Sequence, residues 1–176
     1  MGYLPVLNLE TANPEAKQIL SNLKAKLGFV PNIYAAMANS PKALSALLSF
    51  GSAMSGGALN KKESEAIALA VGQDNSCDYC IAAHTAIAKG AGFSAEEAKD
   101  LRQAKSSDDK LDALAKLAKE ISATRGHPSE GVLKKFYAVG YNDAALAEVI
   151  ASVAHNLFTN YFNHIAATEI DFPPAD

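Results

Sequence analysis

Apolar residues recur at intervals of three and four through most of the chain, and strict alternation is rare. That period is helical, so an all-α fold is expected. Caps and breakers cut the pattern into segments. Asn13-Pro14 opens the first, with Ile19, Leu20, Leu23 and Leu27 on its apolar face and Gly28 at its end. Pro31 opens a short helix through Met37. Ser40-Pro41 opens a third, with Leu44, Leu47, Leu48 and Phe50 on the core side, and Gly56-Gly57 stops it. Asn60 with Glu63 three residues on reads as a capping box for a helix over 61–73. Ala66, Ile67, Ala70 and Val71 keep helical spacing there, whereas Lys61, Lys62, Glu63 and Ser64 are expected to face solvent.

Asp74-Asn75-Ser76 reads as a turn, followed by a helix over 77–89 that Gly90 and Gly92 end. Ser94 and Glu97 form a second capping box, for a helix over 95–104. Asp108 opens the next, with Leu111, Leu114, Leu117, Ala118 and Ile121 at core spacing, stopped by Gly126. Ser129 caps a helix to Gly140 that carries Val132, Leu133 and Phe136. The longest segment starts at Asn142-Asp143 and runs to about Thr168, before Pro173-Pro174. No stretch reads as a linker, so residues 1–176 are expected to form a single domain. Leu59-Asn60 with Glu65-Ala66-Ile67 echoes Tyr141-Asn142 with Glu148-Val149-Ile150, and His84 can be laid beside His164. Two pseudo-repeated helical hairpins would explain this; so would chance similarity between alanine-rich helices.

Composition narrows the class of function. Apolar residues make up 49% of the chain and charged residues 20%, an ordinary balance for a globular protein. The net charge is −3 with no block of Lys or Arg, which disfavours a nucleic-acid partner. The opening Met1-Gly2-Tyr3-Leu4-Pro5 lacks the charged and apolar regions of a secretory leader, and no apolar run approaches the roughly 20 residues that span a bilayer. A cytoplasmic protein without a membrane segment is expected.

The candidate chemistry is concentrated in one place. The only two cysteines stand as Cys77-Asp78-Tyr79-Cys80, with His84 four residues after the second. Two cysteines make no secreted disulfide framework, and in a reducing compartment a close pair points to redox chemistry or a metal. On a helix Cys77 and Cys80 lie one turn apart, about 5 Å between Cα atoms and within disulfide range. Cys80 and His84, at i and i+4, face each other.

An ordinary thiol has a pKa of about 8.5 and is only a few per cent thiolate at pH 7. Bringing it to about 6 takes roughly 3 kcal/mol of differential stabilisation, of which a helix N-terminus supplies about 0.3–2. The remainder needs a neighbour, and His84 is at hand. Glu65, on the preceding helix, can orient His84 and complete a relay. Other readings stay open. Cys77, Cys80 and His84 could be part of a zinc site, with the fourth ligand from His127, His155, His164 or Glu65; structural zinc usually takes more thiolates. Two inert buried thiols are the second alternative. His155 and His164, on the long apolar helix, are expected to be hydrogen-bonded core or interface residues.

Glu65, then eleven residues, then Cys77-x-Tyr79-Cys80-x-x-x-His84 in an all-α chain resembles the AhpD-like alkylhydroperoxidases of the carboxymuconolactone decarboxylase superfamily. Gly28-Phe29-Val30-Pro31-Asn32 with Ser40-Pro41, the run from His155 to His164, and Asp171-Phe172-Pro173 are similar to its peroxidase-related branch. The resemblance implies an AhpD-like helical bundle and a thiol-dependent peroxidase acting on organic hydroperoxides or hydrogen peroxide. It assigns the peroxidatic role to Cys80, the resolving role to Cys77, and a proton relay to His84 and Glu65. It implies no flavin, haem or metal cofactor, an external dithiol reductant of lipoyl type, and a homo-oligomer, trimer or hexamer. Decarboxylase members lack the cysteine pair, which argues against lactone decarboxylation. Some members have a histidine between the cysteines where this chain has Tyr79, whose phenol, with pKa about 10, cannot replace imidazole as a base. A thiol-disulfide oxidoreductase or redox sensor without peroxidase turnover is the alternative function.

Overall fold

The signals that start and stop helices act locally, and the structure follows them closely. The computed structural model describes residues 3–175; the reading of Met1 and Gly2 lies outside them. Among the described residues there are nine helices and no strands. They are α1 (Pro14–Leu27), α2 (Asn32–Met37), α3 (Pro41–Met54), α4 (Lys61–Asp74), α5 (Asp78–Gly90), α6 (Ala95–Arg102), α7 (Asp109–Ala123), α8 (Glu130–Ala138) and α9 (Asp143–Ala166). The fold is all-α. The side chains of Asn13, Ser40, Asn60, Ser94 and Asp108 accept from backbone N–H groups of their first turns, and both capping boxes form. Ser129 stands at the N-cap of α8 without a side-chain cap bond. No helix among the described residues is long and apolar enough to cross a membrane.

Contacts divide the chain into two compact units. The smaller gathers the described residues up to Ser55 with Tyr161–Asp171. Ala16, Leu20 and Leu23 of α1, Ile33, Ala36 and Met37 of α2, and Leu44 and Leu47 of α3 are buried. The expected face of α1 is corrected at one end: Leu27 is 45% exposed. Periodicity puts a residue on a face, but it does not say how far along the helix the covering layer reaches. The Asp171 carboxylate accepts the Asn32 backbone N–H at 2.8 Å, and the Asn32 side chain donates to the Glu169 carbonyl at 3.0 Å. Asp171 thereby supplies at α2 the N-terminal acceptor that Pro31 cannot.

The larger unit holds Gly56–Asn160 and the described residues from Phe172. Its centre is α4, buried continuously from Ala66 to Gly72. A helix buried on every side must be apolar on every side, and alanine and glycine let neighbours approach it closely. Ile67 and Val71 join Leu114, Leu117, Ile121, Phe136, Tyr141, Val149 and Val153 in one core cluster. Ala66, Leu69 and Ala70 join Ala88, Phe93, Ala98 and Leu101 in another.

Two carboxylates set the start of α4. Glu63, expected at the surface, is 7% exposed, which corrects that expectation. Its Oε2 accepts the Asn60 N–H at 2.8 Å, and its Oε1 accepts the Tyr141 hydroxyl at 2.8 Å. The capping box folds the carboxylate back onto the helix, and Tyr141 satisfies the oxygen that remains, so the charge tolerates burial. Burial, reinforced by Glu63, drives the Tyr141 phenol far above its usual pKa. Glu148 of α9 accepts the N–H groups of Ala58 and Leu59 at 2.8 and 3.0 Å. A Cβ at Gly57 would overlap that carboxylate, so the glycine pair does more than stop a helix. The echo between the halves does not build a second hairpin here: Glu65 and His84 lie on successive helices, whereas Glu148 and His164 share uninterrupted α9.

Candidate active site

The turn between α4 and α5 fixes where the cysteines stand. Asn75 donates its side-chain amide to the Val71 carbonyl at 2.9 Å and to Ser122 Oγ of α7 at 3.0 Å. Ser76 takes a left-handed conformation, φ 53°, and reverses the chain. The Cys77 N–H then donates to the Gly72 carbonyl at 2.9 Å, tying the start of α5 to the end of α4.

Cys77 is the N-cap of α5, and its sulfur accepts the Cys80 backbone N–H at 3.4 Å. It does with sulfur what serine or aspartate does with oxygen at other helix starts. Both cysteines are buried and are not joined by a disulfide. Cys80, in the first turn, lies where the unpaired amides and helix dipole favour negative charge. A further group reaches it from far along the chain: Asn160 Nδ2 of α9 donates to Cys80 Sγ at 2.9 Å.

His84 of α5 and Glu65 of α4 meet across the two helices. His84 Nδ1 donates to Glu65 Oε2 at 2.8 Å, with side-chain exposures of 25% and 12%. Burial disfavours the imidazolium, but the Glu65 charge, its hydrogen bond and negative charge at Cys80 prevail, so the His84 pKa is raised. With Nδ1 bound to Glu65, Nε2 is the nitrogen left for proton exchange.

A raised folded-state value makes the pair's stabilisation full below the unfolded value, about 6.5, and lost as pH rises through the folded one. Between the carboxylate range and pH 6.5 the wild type is expected to exceed Glu65→Gln in urea midpoint by the widest margin. That margin should shrink at higher pH. A margin independent of pH would show that His84 does not charge against Glu65.

Tyr79 is buried and meets Phe172 edge-on, ring centroids 5.7 Å apart. Its phenol therefore sits in an aromatic contact beside the cysteines. Of the other histidines, His155 is half-buried, while His164 is exposed, which leaves it out of the core. Among the described residues no three His, Cys, Asp or Glu side chains are grouped to hold a metal ion. The residue that the spacing argument missed is Asn160. Its signal was present: Asn156, Asn160 and Asn163 recur at intervals of four and three on an apolar helix, and all three are buried.

The helix arrangement is that of the AhpD core. The structure superposes on an uncharacterised peroxidase-related protein from Ralstonia eutropha JMP134, described as an alkylhydroperoxidase AhpD core, with TM-score 0.87 and 22% identity. The match covers 97% of this chain and 92% of that one. An uncharacterised peroxidase-related protein from Silicibacter sp. TM1040 gives TM-score 0.82 at 22% identity, covering 95% and 92%. The debrominase Bmp8 C82A, in complex with 2,3,4-tribromopyrrole, gives 0.79 at 19% identity, covering 96% and 90%. No curated protein matches the sequence. Residues 41–123, which contain Glu65, Cys77, Cys80 and His84, match the carboxymuconolactone decarboxylase family. The match spans part of the chain, and the structural likenesses define its fold as AhpD-like.

Proposed function

We propose that this protein is a cysteine-based peroxidase that reduces organic hydroperoxides or hydrogen peroxide at the Cys77/Cys80 pair. The observation that carries the reading is the 2.8 Å His84–Glu65 contact, with the imidazole one helical turn beyond Cys80. His84 takes the Cys80 proton, and Glu65 stabilises the imidazolium. The thiolate attacks the outer oxygen of R–O–O–H: an S–O bond forms, the O–O bond breaks, and its electron pair leaves on RO⁻. The imidazolium protonates that alkoxide to the alcohol. Sulfur is oxidised to sulfenic acid and the peroxide is reduced. The Cys77 sulfur then displaces hydroxide from Cys80, giving a disulfide and, with the thiol proton, water. An external dithiol, of lipoyl type by the family's example, returns two electrons by exchange.

A second reading rests on the structural likeness to a debrominase: a thiolate attacking the bromine of a bromopyrrole forms S–Br as C–Br breaks, the ring carbanion takes a proton from the imidazolium, and the second thiol displaces bromide to form the disulfide. One assay separates them. Dihydrolipoamide oxidation is followed with cumene hydroperoxide, hydrogen peroxide or 2,3,4-tribromopyrrole as oxidant. The peroxidase reading expects turnover with a peroxide. Turnover with the bromopyrrole alone would replace it with dehalogenation, and exchange with dithiols but neither oxidant would leave a thiol-disulfide oxidoreductase.

A further inference from the structure

Asn160 is wholly buried at 0% exposure, and its Nδ2 lies 2.9 Å from Cys80 Sγ, closer than the 3.4 Å between the Cys80 N–H and Cys77 Sγ. Its Oδ1 is buried with no hydrogen-bond partner. A buried amide with one end unsatisfied is costly. What the amide adds is a donor aimed at one sulfur.

We propose that Asn160 is a positioning residue that holds Cys80 as the thiolate and thereby selects it over Cys77 as the attacking sulfur. This deepens the peroxidase reading and rests on it for the word attacking, but not for the selection itself. A donated N–H favours S⁻, a full acceptor, over S–H, whose sulfur accepts weakly. Charged and titratable groups near this sulfur include His84 and Tyr79 on the same helix, Glu65 behind His84 on α4, Cys77 one turn earlier, and exposed Asp78. The net charge of a His84/Cys80 ion pair is zero, and it forms or dissolves with a single proton. Asn160 is neutral, so its donation persists at every pH and biases that transfer toward the sulfur anion. A backbone amide donates to Cys77 at 3.4 Å, and the side-chain amide of Asn160 donates to Cys80 at 2.9 Å. With the amide turned over, Oδ1 would instead accept the S–H and hold the thiol, and the sign of the effect would reverse.

The test is iodoacetamide alkylation against pH, with Cys77 and Cys80 quantified as separate peptides. In Asn160→Ala the Cys80 midpoint is expected to rise by about one to two pH units, the range for one hydrogen bond to a charged group. The Cys77 midpoint should move much less. A Cys80 midpoint that stays or falls overturns the proposal. Because Asn160→Ala opens a cavity, the folded wild type supplies a second readout: the Asn160 side-chain amide resonances, followed by NMR. They are expected to titrate with the Cys80 midpoint and to move when Cys80 is alkylated; resonances indifferent to both overturn the proposal even if the variant does not fold. Neither readout uses a peroxide. A shifted midpoint in a protein that consumes no peroxide sinks the peroxidase reading and keeps the role of Asn160, and turnover with an unmoved midpoint does the opposite.

Discussion

Cys80→Ser is expected to abolish dithiol-dependent peroxide consumption, by about a thousandfold or more, as for loss of the nucleophile in other covalent mechanisms. A serine hydroxyl at pH 7 is neither ionised nor polarisable enough to attack a peroxide oxygen, and His84 cannot remedy that. Cys77→Ser should behave differently. Cys80 can still take one oxygen atom, so a single burst of peroxide loss equal to the protein present is expected, followed by a stall. Stopped-flow peroxide loss with mass spectrometry of the protein distinguishes the two variants. Full turnover in Cys80→Ser would reject the assignment of roles, and equal loss of the first burst in both would mean that the sulfurs are not specialised.

The largest effect on stability is expected at Phe136, far from the sulfurs. Its ring is fully buried and stacks on Tyr141 with centroids 4.5 Å apart and planes within 7°. Phe136→Ala should cost about 3–5 kcal/mol, the transfer free energy of the ring plus the cavity it leaves. That is a large part of an ordinary folding stability of about 5–15 kcal/mol. The change should reach the active site indirectly. Tyr141 donates to Glu63, which caps α4, and α4 carries Glu65. Urea unfolding of the two proteins measures the loss, and a cost below about 1 kcal/mol would mean that the cavity collapses around Tyr141.

Helix starts were legible because their causes span three or four residues. Asn60 and Glu63 form the same reciprocal hydrogen bonds in the fold that their spacing implies, and so do Ser94 and Glu97. The same locality makes Cys77, Cys80 and His84 readable as one helix face. Errors arose where a residue's surroundings come from distant parts of the chain. Glu63 carries a charge and sits near a helix start, the mark of a surface residue, yet Tyr141 covers it from 78 positions away. Leu27 lies on a helix with an apolar face, but cover is decided by what packs there, and it is exposed.

The sequence by itself determined an all-α chain, its helix boundaries to within a few residues, and a cysteine pair at a helix N-terminus with a histidine one turn on. These follow from backbone sterics, capping and the 3.6-residue period, all short-range. Tertiary structure alone decided that Glu65 reaches His84 at 2.8 Å, that Glu148 holds the loop before α4, and that Asn160 donates to one sulfur. Asn160 stands 80 residues from Cys80, and no local preference joins them. Their meeting depends on how α9 packs in the larger unit, which is set by the summed burial of many apolar side chains.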